Sequence, residues 1–460
     1  LPYTSRPPAK ELVLAIDIGT TSMKGGLISP DGILLGSHRV IYRDKGSQDY
    51  QTWDARIWID SLRDIVASLG GYERISALCV SGQGPTLVPV GEDGLPLYYA
   101  LLWIDQRGMI KPGSKSFFLP KIEWFRQENP LLYEKTRWFL SCPEYINFFL
   151  TGKAATVTPN EEFIPYIWSN DDSASYGLDH HRLPPFIQTG QVIGEVTSLA
   201  AAQTGIPPGT PVISGGSDFL MGLLGSATVE PGRTCDRAGT SEGVNFCSPS
   251  PVENSRLRIL PHIIPGLYNV SGILASTGRL FEWMRQITGQ TDRTYRDILQ
   301  SIENLPLTRS RPLFIPSIED GGDFQFASGA FLDLHPEHNR DDLGRAVVES
   351  IGFGIKRIIQ TMAMSECSVQ EIRVTGGQAR NVIWNQMKAD MSGKVILVPE
   401  IEDAELLGCA VCALTALGKF SDIKTASLGL TRIRARITPR HENAKIYEEL
   451  YLDYNERFKT

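Results

Sequence analysis

Two stretches in different halves of the chain repeat one order of events: an apolar strand, a glycine with hydroxyl side chains, then a second strand. In the first, Leu12-Val13-Leu14-Ala15-Ile16 reads as a buried strand, and Gly25-Gly26-Leu27-Ile28 as its partner, closed by the turn Pro30-Asp31-Gly32. Asp17 stands at the end of the first strand, before Gly19, Thr20 and Thr21. In the second, "RTCDRAGTSEGVNFCS" sets small and apolar residues around Gly239, Thr240 and Ser241. Taken alone, each is a polar hairpin whose side chains order a turn. Taken together, they predict an α/β chain with two similarly begun halves, whose turns can grip a polyphosphate with backbone N–H groups and hydroxyls.

At 460 residues the chain exceeds what one core usually serves, so at least two domains are expected. A formal charge of −7 without a long basic run argues against nucleic acid or an anionic membrane as partner and leaves room for a small anionic substrate. No run is apolar enough to span a bilayer, and the first residues do not lead into a signal-type segment, so a cytoplasmic location is expected. Seven scattered cysteines suit reduced thiols. Cys409 and Cys412 have redox-motif spacing, yet they lie in the small-residue run "LLGCAVCA", where helix packing explains them better.

Between and after the hairpins, the pattern predicts a third strand up to Tyr42, a helix from Trp53 to Leu69 and a strand from Ile75 to Val80. Lys121 to Leu150 reads as helical. Further helices are expected at Gly278–Gln286, Asp342–Met362 and Arg380–Met391, and strands at Tyr268–Leu274, Ile372–Thr375 and Val395–Val398.

Three other turns carry polar groups that a core does not need. "VTGGQARN" joins a strand to a helix through two glycines that permit close approach of a ring or ribose. "VISGGSDFLMGLLGSA" feeds a strand into a helix with Asp218 in its first turn, where a helix cap is the ordinary role. In "LLWIDQRG", Trp103, Asp105 and Arg107 fall on one side if the segment is extended; a surface strand with an ion pair is its plain alternative. There is neither a Walker loop nor a dinucleotide fingerprint.

With these motifs in order, "DIGTTSMK", "SGQGPTLVPV", "LWIDQRG", "KIEWF", "GGSDFLMGLLG", "AGTSEG", "STGRLFEW", "GRAVVES", "TGGQARNVIWNQMKAD" and "AELLGCAVCALTALG", the chain resembles the FGGY carbohydrate kinases, nearest the xylulokinase-like branch, within the actin, Hsp70 and sugar kinase superfamily. The resemblance implies two ribonuclease-H-like α/β domains of the actin-like ATPase type facing across a cleft, residues 1–227 and 228–460, with sugar held mainly by the first. It implies ATP and Mg2+ as cofactors and a small sugar or polyol as substrate, and leaves a homodimer open. Asp17 then holds Mg2+ through water. Gly19, Thr20, Thr21 and Lys24 form the first phosphate loop, and Gly239, Thr240 and Ser241 the second. Gly278 and Glu282 line the nucleotide pocket, and Gly377 and Asn381 belong to the adenosine motif. Asp218 takes the place of the catalytic base, while Gln83, Gly84, Pro85, Trp103, Asp105 and Arg107 fall where the family reads its sugar.

Two departures lie on the sugar side: Gly84-Pro85-Thr86 stands where xylulokinases carry Met-His, and "TVTPNEEFIPYIW" is bulkier than its counterpart and brings Glu161 and Glu162. The expected reaction is transfer of the ATP γ-phosphoryl group to a hydroxyl of a ketose such as xylulose, or of a polyol. The competing readings are a chaperone- or actin-like ATPase and a sugar-sensing protein that has lost transfer.

Overall fold

The computed structural model describes residues 12–42, 51–71, 74–239, 241–308, 310–316 and 328–458. The chain divides into two compact units. The first takes the residues up to Ala227 together with Pro261–Pro265 and Ala404–Thr431, and the second takes Thr228–Leu260, Gly266–Asp403 and the residues from Arg432 on. Two segments that lie after position 227 thus group by contact with the first unit.

The first unit is built on a six-stranded sheet of β1 (Leu12–Ile18), β2 (Ser22–Ile28), β3 (Leu34–Ile41), β4 (Ile75–Gly82), β5 (Val192–Glu195) and β6 (Pro211–Ser217), in the order β5-β6-β4-β1-β2-β3. β1, β2 and β3 form an antiparallel meander, β4 lies parallel to β1, β6 parallel to β4, and β5 closes the edge antiparallel. β1 is buried along its whole length, as its unbroken apolar run requires of a central strand covered on both faces. At the edge, β3 alternates and is largely exposed.

In the second unit, β7 (Thr234–Ala238), β8 (Glu242–Ser248), β9 (Arg258–Pro261), β10 (Tyr268–Leu274), β11 (Glu371–Thr375), β12 (Val395–Pro399) and β13 (Ile433–Ile437) follow the order β9-β10-β8-β7-β11-β12-β13. Here too an antiparallel meander (β7, β8, β10) is extended by two parallel strands and closed by an antiparallel edge. The repeat legible in two turns is thus a repeat of sheet topology.

Two segments differ from the sequence reading. Within Lys121–Leu150, helices Leu119–Glu128, Pro130–Lys135 and Cys142–Thr151 are interrupted by the strand Thr136–Leu140, which pairs with Val88–Gly91. Residues 102–108 are not a strand but a turn stabilised by Asp105. No helix among the described residues is long and apolar enough to cross a membrane.

The helix Ala404–Ala416 explains the small-residue run. It packs on the helix Asp218–Gly225, with Cys412 Sγ 3.8 Å from Met221 Sδ and Cys409 Sγ 3.7 Å from Ile16 O, so both cysteines are packing residues. The contact is made through glycines: a Cβ on Gly408 would stand 2.1 Å from Met221 O, and one on Gly225 1.8 Å from Ala404 O. Gly408→Ala pushes these backbones apart and is expected to lower stability by about 3 kcal/mol, read as a lower urea midpoint. An unchanged midpoint would show that the helices do not need this contact.

Candidate active site

In the first unit, strand register decides which side chains meet. Asp17 on β1 pairs with Ser81 on β4, and Gly82 on β4 pairs with both Ile18 and Ser217. Asp17, Gln83 and Asp218 consequently emerge at the carboxyl ends of three neighbouring parallel strands, where open α/β sheets place their ligands. β6 reaches this point through a bulge: Ser214 pairs with Val80 and Gly216 with Ser81, leaving Gly215 over. Gly216 has φ 139°, a conformation closed to other residues, and re-aims the strand so that Asp218 opens the helix Asp218–Gly225.

Asp17 is buried, and its Oδ1 accepts from Ser81 Oγ at 3.1 Å. Asp218 is half-buried; its Oδ1 accepts from Phe219 N at 2.7 Å. Burial pushes the Cys142 thiol well up, with the Asp218 and Asp17 carboxylates adding to the effect. The sulfur donates to Gln83 O at 3.4 Å.

The first turn closes with Gly19 N donating to Ser22 O at 3.0 Å. Thr20 Oγ1 donates to Gln83 Oε1 at 3.3 Å and accepts from Trp103 Nε1 at 3.1 Å, which links three predicted site residues from separate segments. Gln83 is only 2% exposed, and its Nε2 has no hydrogen-bond partner among the described residues. Such an amide is costly unless something else meets it. Lys24 faces Asp17 across the hairpin, and Thr21 O accepts from Tyr42 N at 3.1 Å.

Asp105 is buried, and its Oδ1 accepts from both the backbone N and Nε of Arg107 at 3.0 Å. The Arg107 guanidinium lies 4.3 Å from the Trp124 ring centre. Lys121 joins this turn to the Gln83–Pro85 segment, donating to Pro85 O and Leu102 O at 2.6 Å each. Burial lowers its ammonium to about 8 although Asp105 opposes the shift. Within "KIEWF" Lys121 carried no expected role; a lysine on the buried face of a helix was the available signal. Gly84 leaves open space, with nothing within 4 Å of an added Cβ. Glu161 and Glu162 are exposed, and the neighbouring Phe163 ring lies 6.2 Å from that of Phe219, beside Asp218.

In the second unit, Gly239 N donates to Ser241 O at 2.9 Å; Thr240 lies outside the described residues. Gln378 Nε2 reaches Gly239 O at 3.5 Å, and its Oε1 accepts from Trp384 Nε1 at 2.6 Å, tying this turn to "TGGQARN". Gly376 has φ 82° and a Cβ there would lie 2.4 Å from Ala238 O, whereas nothing lies within 4 Å of a Cβ on Gly377. Asn381 caps the helix Val382–Ser392, its Oδ1 accepting from Ile383 N and Trp384 N at 3.1 Å each. The described contacts do not join Gly278 and Glu282, on the helix Thr277–Ile287, to this group. Glu282 accepts from Tyr295 Oη at 2.8 Å and Arg285 Nη1 at 2.7 Å, and these bonds, Tyr295 first, hold it below the usual carboxylate range.

Two units with one repeated sheet order, each carrying a glycine-hydroxyl hairpin turn, make the two-domain actin-like ATPase fold. The crystal structure of xylulose kinase from Rhodospirillum rubrum shares it, with a TM-score of 0.80 over 97% of this chain and 98% of that one at 23% identity. The chain belongs to the FGGY family of carbohydrate kinases: residues 12–111 and 112–225 match the family's N-terminal domain, and residues 237–417 its C-terminal domain. Membership makes it a carbohydrate kinase and carries with it the use of ATP. Among curated relatives, a xylulose kinase of Staphylococcus epidermidis is 25% identical across 98% of this chain and 97% of that protein. An autoinducer-2 kinase of Enterobacter sp. is 26% identical across 72% of this chain and 66% of that protein.

Proposed function

We propose that the chain transfers the γ-phosphoryl group of MgATP to a hydroxyl of a small sugar, a ketose such as xylulose or a polyol, with Asp218 as general base. The observation that carries this reading is the buried Gln83 Nε2, which has no hydrogen-bond partner among the described residues and is set between Asp17 and Asp218 at the carboxyl ends of parallel strands. A polar ligand there satisfies the amide. Asp17, a buried carboxylate, offers the hard oxygen donor that Mg2+ takes, and the ion when bound would neutralise charge on the phosphates.

In this reading Gln83 and the Asp105–Arg107 pair orient the sugar, and Asp218 accepts the proton of the attacking hydroxyl. Gly19, Thr20 and Thr21 form one phosphate-binding turn in this reading, and Gly239 and Ser241 belong to the other. Glycines at these turns let backbone N–H groups approach without bulk. The xylulose kinase relatives favour a ketose, while the open space at Gly84 leaves room for a substrate larger than a pentulose. A cytoplasmic location is part of the proposal, in keeping with seven buried thiols.

The test is ADP release measured across pentuloses, hexuloses and polyols. Sugar-dependent ADP above background is expected for at least one; none would sink the reading and favour a sensor that has lost transfer. Given an active sugar, Asp105→Ala removes the carboxylate that accepts from the backbone N, Nε and Nη2 of Arg107, and a lost polar partner costs about 1–3 kcal/mol. The sugar KM should rise about 10–100-fold with the ATP KM unchanged. If neither constant moves, the pair serves only to hold the turn.

A further inference from the structure

In the second unit Lys388, on the helix Val382–Ser392, places a buried ammonium across the two strands of the β7–β8 hairpin. Its Nζ donates to Asp236 Oδ2 on β7 at 2.5 Å and to Glu242 Oε1 at the start of β8. The three side chains are 2%, 1% and 0% exposed, so two acids and one ammonium stand almost without water. If both acids were ionised the cluster would carry an uncompensated negative charge in a low-dielectric interior, a costly state.

The oxygens that Lys388 does not engage make the same point independently. Asp236 Oδ1 and Glu242 Oε2 are both buried and have no donor among the described residues, although the two carboxyl groups are within hydrogen-bonding reach of each other. One proton removes the net charge and turns one orphan oxygen into a donor for the other.

We propose that Asp236 and Glu242 share a single proton beside Lys388, and that this neutral clasp is a positioning device for nucleotide binding, fixing the turn that presents Gly239 and Ser241. The proposal rests on the reading of that turn as the second phosphate loop.

Burial and the neighbouring Asp236 raise Glu242 to about 8. For Lys388, burial works downward and the two carboxyls more than offset it, so the ammonium keeps its proton. Among the described residues, the surrounding elements bring no competing charge. Arg237 alternates to the other face of β7, and β10 sets Leu274 opposite Glu242. Arg373 on β11 is lowered by its burial and by Arg233, and neither Asp236 nor Glu242 is among the groups acting on it. On the helix Arg340–Met364, Glu349 pairs with Arg311 and Lys356 with Glu448. On the helix of Lys388 itself, the Trp384 ring lies 5.3 Å from Nζ and Asp390 is taken by Arg440; in the preceding turn Arg380 pairs with Asp403.

The sign of the effect follows. A carboxyl whose folded value is raised gives the native state an extra proton between the ordinary carboxylate range and about 8, so stability falls as pH rises through that window, and above it the clasp is open.

The test titrates the full chain with Mg2+ and a non-hydrolysable ATP analogue by calorimetry. Wild-type Kd should weaken about tenfold between about pH 7 and about pH 9, as the protonated fraction falls to roughly a tenth. In Glu242→Gln the amide stands in for the protonated acid, and the ratio of the two Kd values should be near one. Melting temperature supplies a nucleotide-free readout: between about pH 5 and pH 8 it should fall more in wild type than in Glu242→Gln. Equal pH dependence of both readouts in the two proteins overturns the proposal. So does a Glu242→Gln chain that is unfolded at neutral pH, because a proton already present makes the amide a near-isostere. Gly239→Val that binds the analogue as wild type does would instead overturn the phosphate-loop reading.

Discussion

Asp218→Asn is expected to lower kcat for sugar phosphorylation by about 10²–10⁴-fold while nucleotide affinity stays close to wild type. The substitution keeps size and one hydrogen-bond acceptor but removes the basic oxygen that takes the proton from the attacking hydroxyl. Two local facts make this a sharp test. Asp218 is the first residue of its helix, after the N-cap position Ser217, and its Oδ1 accepts from Phe219 N, so part of its work is to meet an N–H of the first turn. An Asn Oδ1 accepts that bond as well, so stability survives in either case and only turnover distinguishes the roles. The carboxylate is also half-buried at the end of β6, beside the buried Cys142 on which Asp17 acts as well. A folded Asp218→Asn protein with near wild-type kcat would remove Asp218 from the mechanism and leave it a structural residue of the helix's first turn.

The second large effect separates neighbouring glycines. Gly377→Val should weaken nucleotide binding by about 100-fold or more without lowering stability, because the added side chain enters space that no protein atom occupies within 4 Å. Sugar binding should stay nearly intact. Gly376→Ala should do the reverse. At φ 82°, with Ala238 O 2.4 Å from the new Cβ, the alanine is strained and clashes with backbone, costing about 3 kcal/mol of stability before nucleotide is considered. Calorimetry on the first variant and denaturant midpoints on both decide the matter. A Gly377→Val protein with unchanged affinity would move the adenosine site elsewhere, and a Gly376→Ala protein as stable as wild type would show that the strand end relaxes freely.

The sequence by itself determined the elements around the turns. A run such as Leu12–Ile16 encodes a buried strand in consecutive residues, and a glycine followed by hydroxyls ends it, so Asp17, Gly19 and Thr20, and likewise Gly239 and Ser241, were legible as hairpin turns from local chemistry alone. Asp218 was legible for the same reason, as the first acid after a strand that runs into two glycines. Tertiary structure decided what no local window contains. The strand Thr136–Leu140 exists because Val88–Gly91 supplies its hydrogen bonds, and otherwise "TRWFL" continues a helical pattern. Ala404–Thr431 joins the first unit because Gly408 and Gly225 let two backbones touch. The roles of buried cations were the least legible. Lys388 finds Asp236 and Glu242 at separations of 152 and 146 residues, and Lys121 finds carbonyls 36 and 19 residues away. A charge is tolerated in a core only by the partners that folding brings to it, and those partners are a property of sheet order and register, not of the residues on either side.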